Sequence, residues 1–189
     1  DWYQKLLDEY HKWLSYSLKW KKERNESLQN LEFPFPYREG QRKMVGSVYH
    51  SLSAGRQIFI QAPTGVGKTM STIFPAVRAV GEGKGETIFY LTAKTITRTV
   101  AEEAFAVLQE KGMKYKVVTI TAKDKLCFME ETKCDPAHCP YAKGHFDRVN
   151  DAVYELWTSS HVYDRQTILG QAEKRQVCPF EMCLDLALW

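Results

Sequence analysis

The sequence predicts an α/β fold in which a parallel sheet carries a phosphate-binding loop and a small helical segment is inserted around clustered cysteines. Over residues 56–122, short apolar segments alternate with helical patterns, as is typical of a parallel sheet covered by helices. The segment PTGVGKT directly follows the first apolar segment. The alternation then stops, where three of the five cysteines fall within residues 127–139.

The N-terminal residues predict a helix that serves as a packing element. Aromatic and leucine side chains recur at helical spacing over residues 2–24, which indicates an amphipathic helix. The prolines of FPFPY at 33–37 interrupt this pattern because proline is not tolerated inside a helix. We therefore assign residues 1–32 to a helical connector and expect a second helix over 38–53.

The next segments predict the sheet and its covering helices. Strands are expected at 56–62, 87–93 and 116–122, and helices at 67–80 and 95–111. Together they predict the first part of a nucleotide-binding domain.

A change of pattern after Ala122 sets the remaining domain boundaries. Residues 33–122 form the predicted nucleotide-binding part, and 123–183 form an insertion with helices at about 146–160 and 165–176. Residues 184–189 are predicted to return to the first domain. The chain does not begin with Met and ends on the apolar LDLALW, so we expect it to be an excerpt of a larger protein.

The composition is that of a folded protein, with 44% hydrophobic and 26% charged residues. No apolar stretch is long enough to cross a bilayer and no signal peptide opens the chain, so we expect a cytoplasmic protein without a membrane partner. In that reducing compartment, clustered cysteines favour metal or cluster ligation over disulfides. The net charge of +3 does not by itself predict nucleic-acid binding.

The segment APTGVGKT at 62–69 has the strand–loop–helix setting of a P-loop. Gly65 and Gly67 let the backbone curl so that its N–H groups point at phosphate oxygens, and the following helix presents its N-terminus to the same anion. Lys68 can reach the β- and γ-phosphates, and the Thr69 hydroxyl can ligate Mg²⁺. One departure is Ala62, which stands where the pattern has its first glycine. The predicted site comprises Ala62, Pro63, Thr64, Gly65, Val66, Gly67, Lys68 and Thr69.

The segment YREGQ at 37–41 precedes the second predicted helix. The amide of Gln41 can pair with the N6/N7 edge of adenine, and the ring of Tyr37 can stack on the base. Joined to the P-loop, this segment resembles the Q-type adenine motif of helicases, so the expected nucleotide is ATP.

The five cysteines leave the metal open. They are Cys127, Cys134, Cys139, Cys178 and Cys183, separated by six, four, thirty-eight and four residues. Zinc sites favour C-x2-4-C pairs, which this spacing only approximates. Cys139 and Cys178 each precede a proline, which suits a first helical position, so both sulfurs are expected near helix N-termini that favour thiolate. The residues alone are equally compatible with zinc and with an iron–sulfur cluster.

The order of these parts resembles the XPD/DinG-type iron–sulfur helicases of superfamily 2. The P-loop is followed by LTAKT at 91–95, AKDKLC at 122–127, scattered cysteines and CPFE at 178–181. The resemblance covers about residues 33–189 and implies a RecA-like motor domain with an inserted iron–sulfur domain. It implies a 4Fe–4S cluster with Cys127 as the first ligand, Cys134 and Cys139 in the middle and Cys178 last. Cys183 falls outside the pattern and is expected to be a small buried hydrophobe.

The same resemblance implies contacts with DNA. Lys94 and Thr95 match a motif that grips the strand backbone, and Lys123 stands where the family has a basic residue before its first cysteine. The implied activity is ATP hydrolysis coupled to 5′ to 3′ translocation on single-stranded DNA and unwinding of forked DNA, as in DNA repair. Two alternatives stay open: another kind of P-loop ATPase with a structural zinc, and a zinc-stabilised DNA-binding module without enzymatic activity.

One expected motif is missing from the sequence. No apolar strand ending in Asp-Glu, the Walker B motif, follows the P-loop, and LLDEY at 6–10 lies on the predicted N-terminal helix. We therefore expect that these 189 residues alone do not hydrolyse ATP.

Overall fold

The computed structural model describes residues 1–93 and 95–188, which contain eight helices and one two-stranded parallel sheet. The chain divides into two compact units. The P-loop unit comprises Leu14–Tyr115, and the cysteine unit comprises Asp1–Trp13 together with the residues from Lys116 onward.

Helix α1, Trp2–Gln29, extends five residues beyond the predicted end at 24. In the cysteine unit, Trp13 stacks on Trp157 with ring centroids 5.6 Å apart. In the P-loop unit, the amide of Gln29 donates to the carbonyl of Gly81 at 2.7 Å. A side chain at Gly81 would place its Cβ 2.6 Å from the Cβ of Leu28, so the close packing at this end of α1 requires glycine. The helix is thus a packing element, as predicted.

Three further helices build the P-loop unit: α2, Gln41–Ser53; α3, Lys68–Gly81; and α4, Thr95–Glu110. Their bounds lie within three residues of the predicted ones. Their apolar side chains recur at helical spacing and pack together, with Ile73, Val77 and Leu108 almost wholly buried. The α2–α3 contact carries most of this packing.

The strands predicted at 56–62 and 87–93 are not found, since neither segment is paired into a sheet in the described part of the chain. Several of their apolar side chains are exposed, and Phe59 is 95% accessible to solvent. Apolar spacing predicts which side chains a strand would bury, but a strand also needs a hydrogen-bonding neighbour, which the spacing does not specify. This is the main departure of the structure from the expected sheet.

The third predicted strand, 116–122, is reduced to β1, Val117–Val118. It pairs in parallel with β2, Val162–Tyr163, which the sequence analysis missed because two residues between helices carry no periodic pattern. Helices complete the cysteine unit: α5, Lys123–Leu126; α6, His145–Ser159; α7, Arg165–Arg175; and α8, Pro179–Leu188. The bounds of α6 and α7 agree with the helices predicted at 146–160 and 165–176.

Lys116, just before β1, is bonded inside the cysteine unit. Its Nζ donates to the carbonyl oxygens of Trp157 and, at 3.2 Å, Ser160, and to the phenol oxygen of Tyr163 at 3.1 Å. The Tyr163 hydroxyl in turn donates to the Ser160 carbonyl at 2.7 Å. Burial lowers the pKa of Lys116 to about 7. The lysine therefore ties β1 to the end of α6 and to β2.

We expect Lys116→Met to reduce stability in a pH-dependent way. The pKa of Lys116 is about 7 in the fold and 10.5 without the fold's influence, so between these values the unfolded chain binds more protons. The free energy of unfolding of the wild type should therefore rise with pH across this interval, a contribution that Met lacks. At pH 9 the variant should be about 2 kcal/mol less stable, and the gap should narrow towards pH 6.5. Urea unfolding at both pH values measures this; a gap that does not change with pH would contradict it.

Candidate nucleotide and cysteine sites

The phosphate loop lies directly before α3 and has the curled backbone that the sequence predicts. Gly65 and Gly67 have φ angles of 86° and 74°, in the region that glycine adopts without steric cost. Gly67 is the N-cap of the 14-residue α3, so the helix N-terminus opens onto the loop. Unsatisfied N–H groups and the helix dipole both favour an anion there.

Lys68 folds back onto this loop. Its Nζ donates to the carbonyl oxygens of Ala62 at 2.9 Å and Pro63 at 3.0 Å. The side chain is exposed, so the ammonium can exchange these carbonyls for phosphate oxygens, which form stronger charge-assisted hydrogen bonds. Thr69 follows on the first turn of α3, the position from which its hydroxyl is predicted to ligate Mg²⁺.

The YREGQ segment contacts the loop directly. The guanidinium of Arg38 donates to the carbonyl of Gly65, and the Arg38 backbone N–H donates to Oε1 of Gln41 at 3.0 Å. The Nε2 of Gln41 lies 2.5 Å from the position that a Cβ at Gly67 would occupy, and Gln41 is only 4% exposed. The amide of Gln41 thus packs against the loop, while its pairing with adenine stays a prediction. The sequence pattern predicts no role for Arg38.

Tyr37 offers an aromatic surface near the loop. Its ring stacks on Phe33 with centroids 4.3 Å apart and planes 15° apart, and Phe33 meets Phe74 edge-on at 5.3 Å. Tyr37 remains 42% exposed, so part of its ring is open to a base. The aromatic spacing of FPFPY was the only sequence signal for this stack.

A cavity of about 630 Å³ adjoins the loop, between α2 and the residues that lead into the P-loop. Met44 and Ile60 contribute apolar surface, and Gln41 contributes a polar group. Its size lies in the range of small-molecule sites, which are mostly apolar with a few placed polar groups. The cavity beside the loop is therefore large enough for further parts of a ligand whose phosphate binds at the loop.

In the cysteine unit, four cysteines line one cavity. They are Cys127, Cys134, Cys139 and Cys178. They come from three places along the chain: the end of α5, the segment up to residue 139, and the residue before α8. The described lining contains no Asp, Glu or His, so thiols are the metal-binding groups that it offers. Cys183 does not line the cavity; it is fully buried, with its sulfur 3.9 Å from the Thr119 carbonyl.

Whether a metal group fits this cavity depends on its donor atoms and on its free volume. Four thiols suit a 4Fe–4S cluster or a zinc ion. The free volume is only about 20 Å³, close to that of one water molecule, and the described residues include no group of three or more potential ligands already arranged to hold a metal ion. Cys134 is exposed on a segment without helix or strand. The donor set therefore fits, and binding requires the sulfurs to move.

Cys178 confirms one of the two predicted helix N-termini. Pro179 is the first residue of α8, and the Cys178 carbonyl accepts from the N–H of Met182 at 3.0 Å. Burial raises the pKa of the Cys178 thiol, and the N–H groups of Glu181 and Phe180 oppose this by lowering it. The expectation for Cys139 was wrong: turns occupy the residues after it, and α6 begins at His145.

Of the three predicted DNA-binding residues, only Lys123 has a side chain within the described part of the chain. Lys123 is the first residue of α5 and lines the cysteine cavity. A hydrogen bond to Cys134 raises the pKa of Lys123, and Glu181 lies 3.8 Å from its Nζ. Lys94 lies outside the described residues; Thr95 begins α4, and its side chain is also outside them. DNA contact stays a prediction for all three.

Comparisons with known proteins indicate the family to which this chain belongs. Residues 38–151 match the DEAD/DEAH box helicase family, a stretch that holds REGQ at 38–41, the P-loop and the first three cysteines. A probable ATP-dependent helicase of Methanocaldococcus jannaschii is 40% identical over 47 residues, which cover 24% of this chain and 7% of that protein. No solved structure matches. None of the described helices is long and apolar enough to cross a membrane. The family implies the RecA-like fold expected for the nucleotide part, and the chain belongs to the DEAD/DEAH box helicase family.

Proposed function

We propose that this chain is the nucleotide-binding and cluster-binding part of an ATP-dependent DNA helicase of the XPD/DinG iron–sulfur type. The observation that carries the proposal is the cavity lined by Cys127, Cys134, Cys139 and Cys178 but not by Cys183. It occurs in a chain whose family match already includes a P-loop. A helicase without a cluster would not need to bring together four cysteines that lie up to fifty-one positions apart.

ATP and Mg²⁺ are the proposed ligands of the P-loop unit. The curled loop and the N-terminus of α3 would bind the phosphates, with Lys68 moving from the carbonyls of Ala62 and Pro63 to the β- and γ-phosphates. Thr69 would ligate Mg²⁺, and the open part of the Tyr37 ring would stack on adenine. Arg38, bonded to Gly65, would keep the loop in shape while Lys68 moves.

A 4Fe–4S cluster is the proposed ligand of the cysteine unit. Bound there, it would supply a covalent cross-link among its four cysteine ligands. Since Cys178 directly precedes α8 and the other three precede α6, such a link would fix the segment 127–139 against α8. The segment has little regular structure of its own, so the link would rigidify it.

Single-stranded and forked DNA are the proposed partners, with translocation from 5′ to 3′. Lys94, Thr95 and Lys123 would contact the strand, in part through phosphate charge, which gives sequence-independent and salt-dependent binding. Lys123 is suited to this role because about a third of its side chain is exposed beside the cysteine cavity.

A second candidate is a structural zinc ion held by the same thiols. The observation in its favour is the small free volume of about 20 Å³, because one ion needs less rearrangement of the sulfurs than a cluster does. The nucleotide chemistry would be unchanged, and the protein would be a P-loop ATPase with a zinc-stabilised cysteine unit.

Anaerobic purification of the chain tests the proposal. We expect a brown protein with broad visible absorption that contains about four iron and four sulfide per chain. Elemental analysis for iron and zinc, with a sulfide assay on the same sample, measures this. A colourless protein with about one zinc per chain would contradict the iron–sulfur assignment and favour the second candidate.

A further inference from the structure

We propose that His145 is a positioning residue for Cys178, the last ligand of the proposed cluster. The inference rests on the proposed function, and the contact that carries it is a hydrogen bond across thirty-three positions of sequence: the backbone N–H of Cys178 donates to Nδ1 of His145 at 3.2 Å. The ring is 4% exposed at the start of α6, so water does not compete for this bond.

This bond helps to fix the position of the Cys178 Cβ, which carries the sulfur. The Cys178 carbonyl is held by the N–H of Met182, as expected for the residue directly before α8, but the N–H at such a position has no partner within its own helix. His145 supplies that partner. With both the N–H and the carbonyl held, the Cα–Cβ bond of Cys178 has one direction, and its thiol lines the cavity with the other three.

A second side chain of the same helix supports this role. Arg148, three residues after His145 and therefore on the same face of α6, donates to the carbonyls of Gln176 at 2.6 Å and Arg175 at 3.2 Å. Residues 175–178, which connect α7 to α8, are thus held at two points by the first turn of α6. The segment that delivers the fourth thiol is positioned by α6 and not by α8 alone.

The other nitrogen of the ring indicates that this position is not optimised for stability. Because Nδ1 accepts a hydrogen bond, the neutral ring carries its proton on Nε2, and Nε2 is buried without a hydrogen-bond partner among the described residues. A buried N–H without an acceptor is unfavourable, and a leucine would fill the same space without it. The imidazole makes two contacts that leucine does not: the bond to Cys178 and an edge-on ring contact with Phe146, whose centroid lies 5.2 Å away.

Two substitutions separate the acceptor from the rest of the ring. In His145→Asn, Oδ1 is bonded to Cγ as Nδ1 is, so it can accept from Cys178, whereas His145→Leu keeps a similar volume without an acceptor. We expect the Leu variant to bind less iron and to lose visible absorbance in air about 10-fold faster than the wild type, with the Asn variant close to the wild type. Phe146→Leu, at the exposed next position, is the matched control, because it removes the edge-on ring contact with His145 and leaves the bond to Cys178 in place.

The metal-free proteins distinguish positioning from a structural role. Chelator-treated His145→Leu should unfold at a urea concentration no lower than chelator-treated wild type, because it loses one hydrogen bond but also the unsatisfied Nε2. A lower unfolding midpoint, including failure to fold, would show a structural role and overturn the inference. It would also be overturned if the Leu variant bound iron as the wild type does, or if Asn and Leu lost iron equally. A wild-type protein without iron would instead reject the proposed cluster, and this inference with it.

Discussion

Replacing Lys68 by alanine is expected to weaken binding of Mg–ATP to this chain about 10- to 100-fold, because hydrogen bonds to charged groups contribute about 1.5–3 kcal/mol. Lys68 is a cation placed at the loop, with its ammonium on the carbonyls of Ala62 and Pro63. Alanine leaves the glycine backbone and the α3 N-terminus in place, so residual binding should persist. Titration with a fluorescent ATP analogue measures the loss.

Lys84→Ala is the matched control for this experiment. Lys84 lies in the loop after α3, is exposed and belongs to the same unit, so its removal changes the net charge equally. Equal binding by wild type and Lys68→Ala, or an equal loss in Lys84→Ala, would contradict the assignment of the loop.

The longer helices of this chain could be predicted from its sequence, whereas most of the predicted strands and the pairing of the sheet could not. Local spacing and glycine or proline punctuation determine where α2, α3 and α4 begin and end, and the bounds agree within three residues. Strand pairing depends on which other segment lies alongside. The segments at 56–62 and 87–93 have the composition of strands but no partner in the described chain, whereas Val162–Tyr163 has a partner but no recognisable pattern.

In the candidate sites, too, features formed by neighbouring residues could be predicted, and contacts between distant residues could not. The P-loop could be predicted because its glycines, lysine and helix are contiguous. The contacts of Arg38 with Gly65 and of His145 with Cys178 join residues far apart in sequence, and no spacing rule predicts them. The grouping of four cysteines without the fifth followed from the order of motifs in a resembling family, since the intervals between cysteines alone left zinc and iron–sulfur equally open.

Replacing Cys127 by serine is expected to remove most of the iron from the anaerobically purified protein. Cys127 directly follows α5, with its N–H bonded to the Lys123 carbonyl at 2.9 Å, so a backbone contact fixes its place at the cavity. Serine keeps the size and shape of the side chain but replaces a soft thiolate by a hydroxyl, which is a poor ligand for iron–sulfur clusters. Iron, sulfide and visible absorbance should fall together, and ATP binding by the P-loop unit should be retained.

Cys183→Ser is the matched control, because it makes the same chemical change at the one cysteine that does not line the cavity. Cys183 is fully buried, with its sulfur 3.9 Å from the Thr119 carbonyl, which is too far for the shorter serine side chain to bond, so we expect a loss of about 1–3 kcal/mol in stability and unchanged iron content. Comparing the two variants separates the loss of a metal ligand from the effect of replacing a buried thiol. If Cys183→Ser lost the brown colour and Cys127→Ser kept it, the ligand set would have to include Cys183 and exclude Cys127. If both kept it, the cavity would not be the metal site.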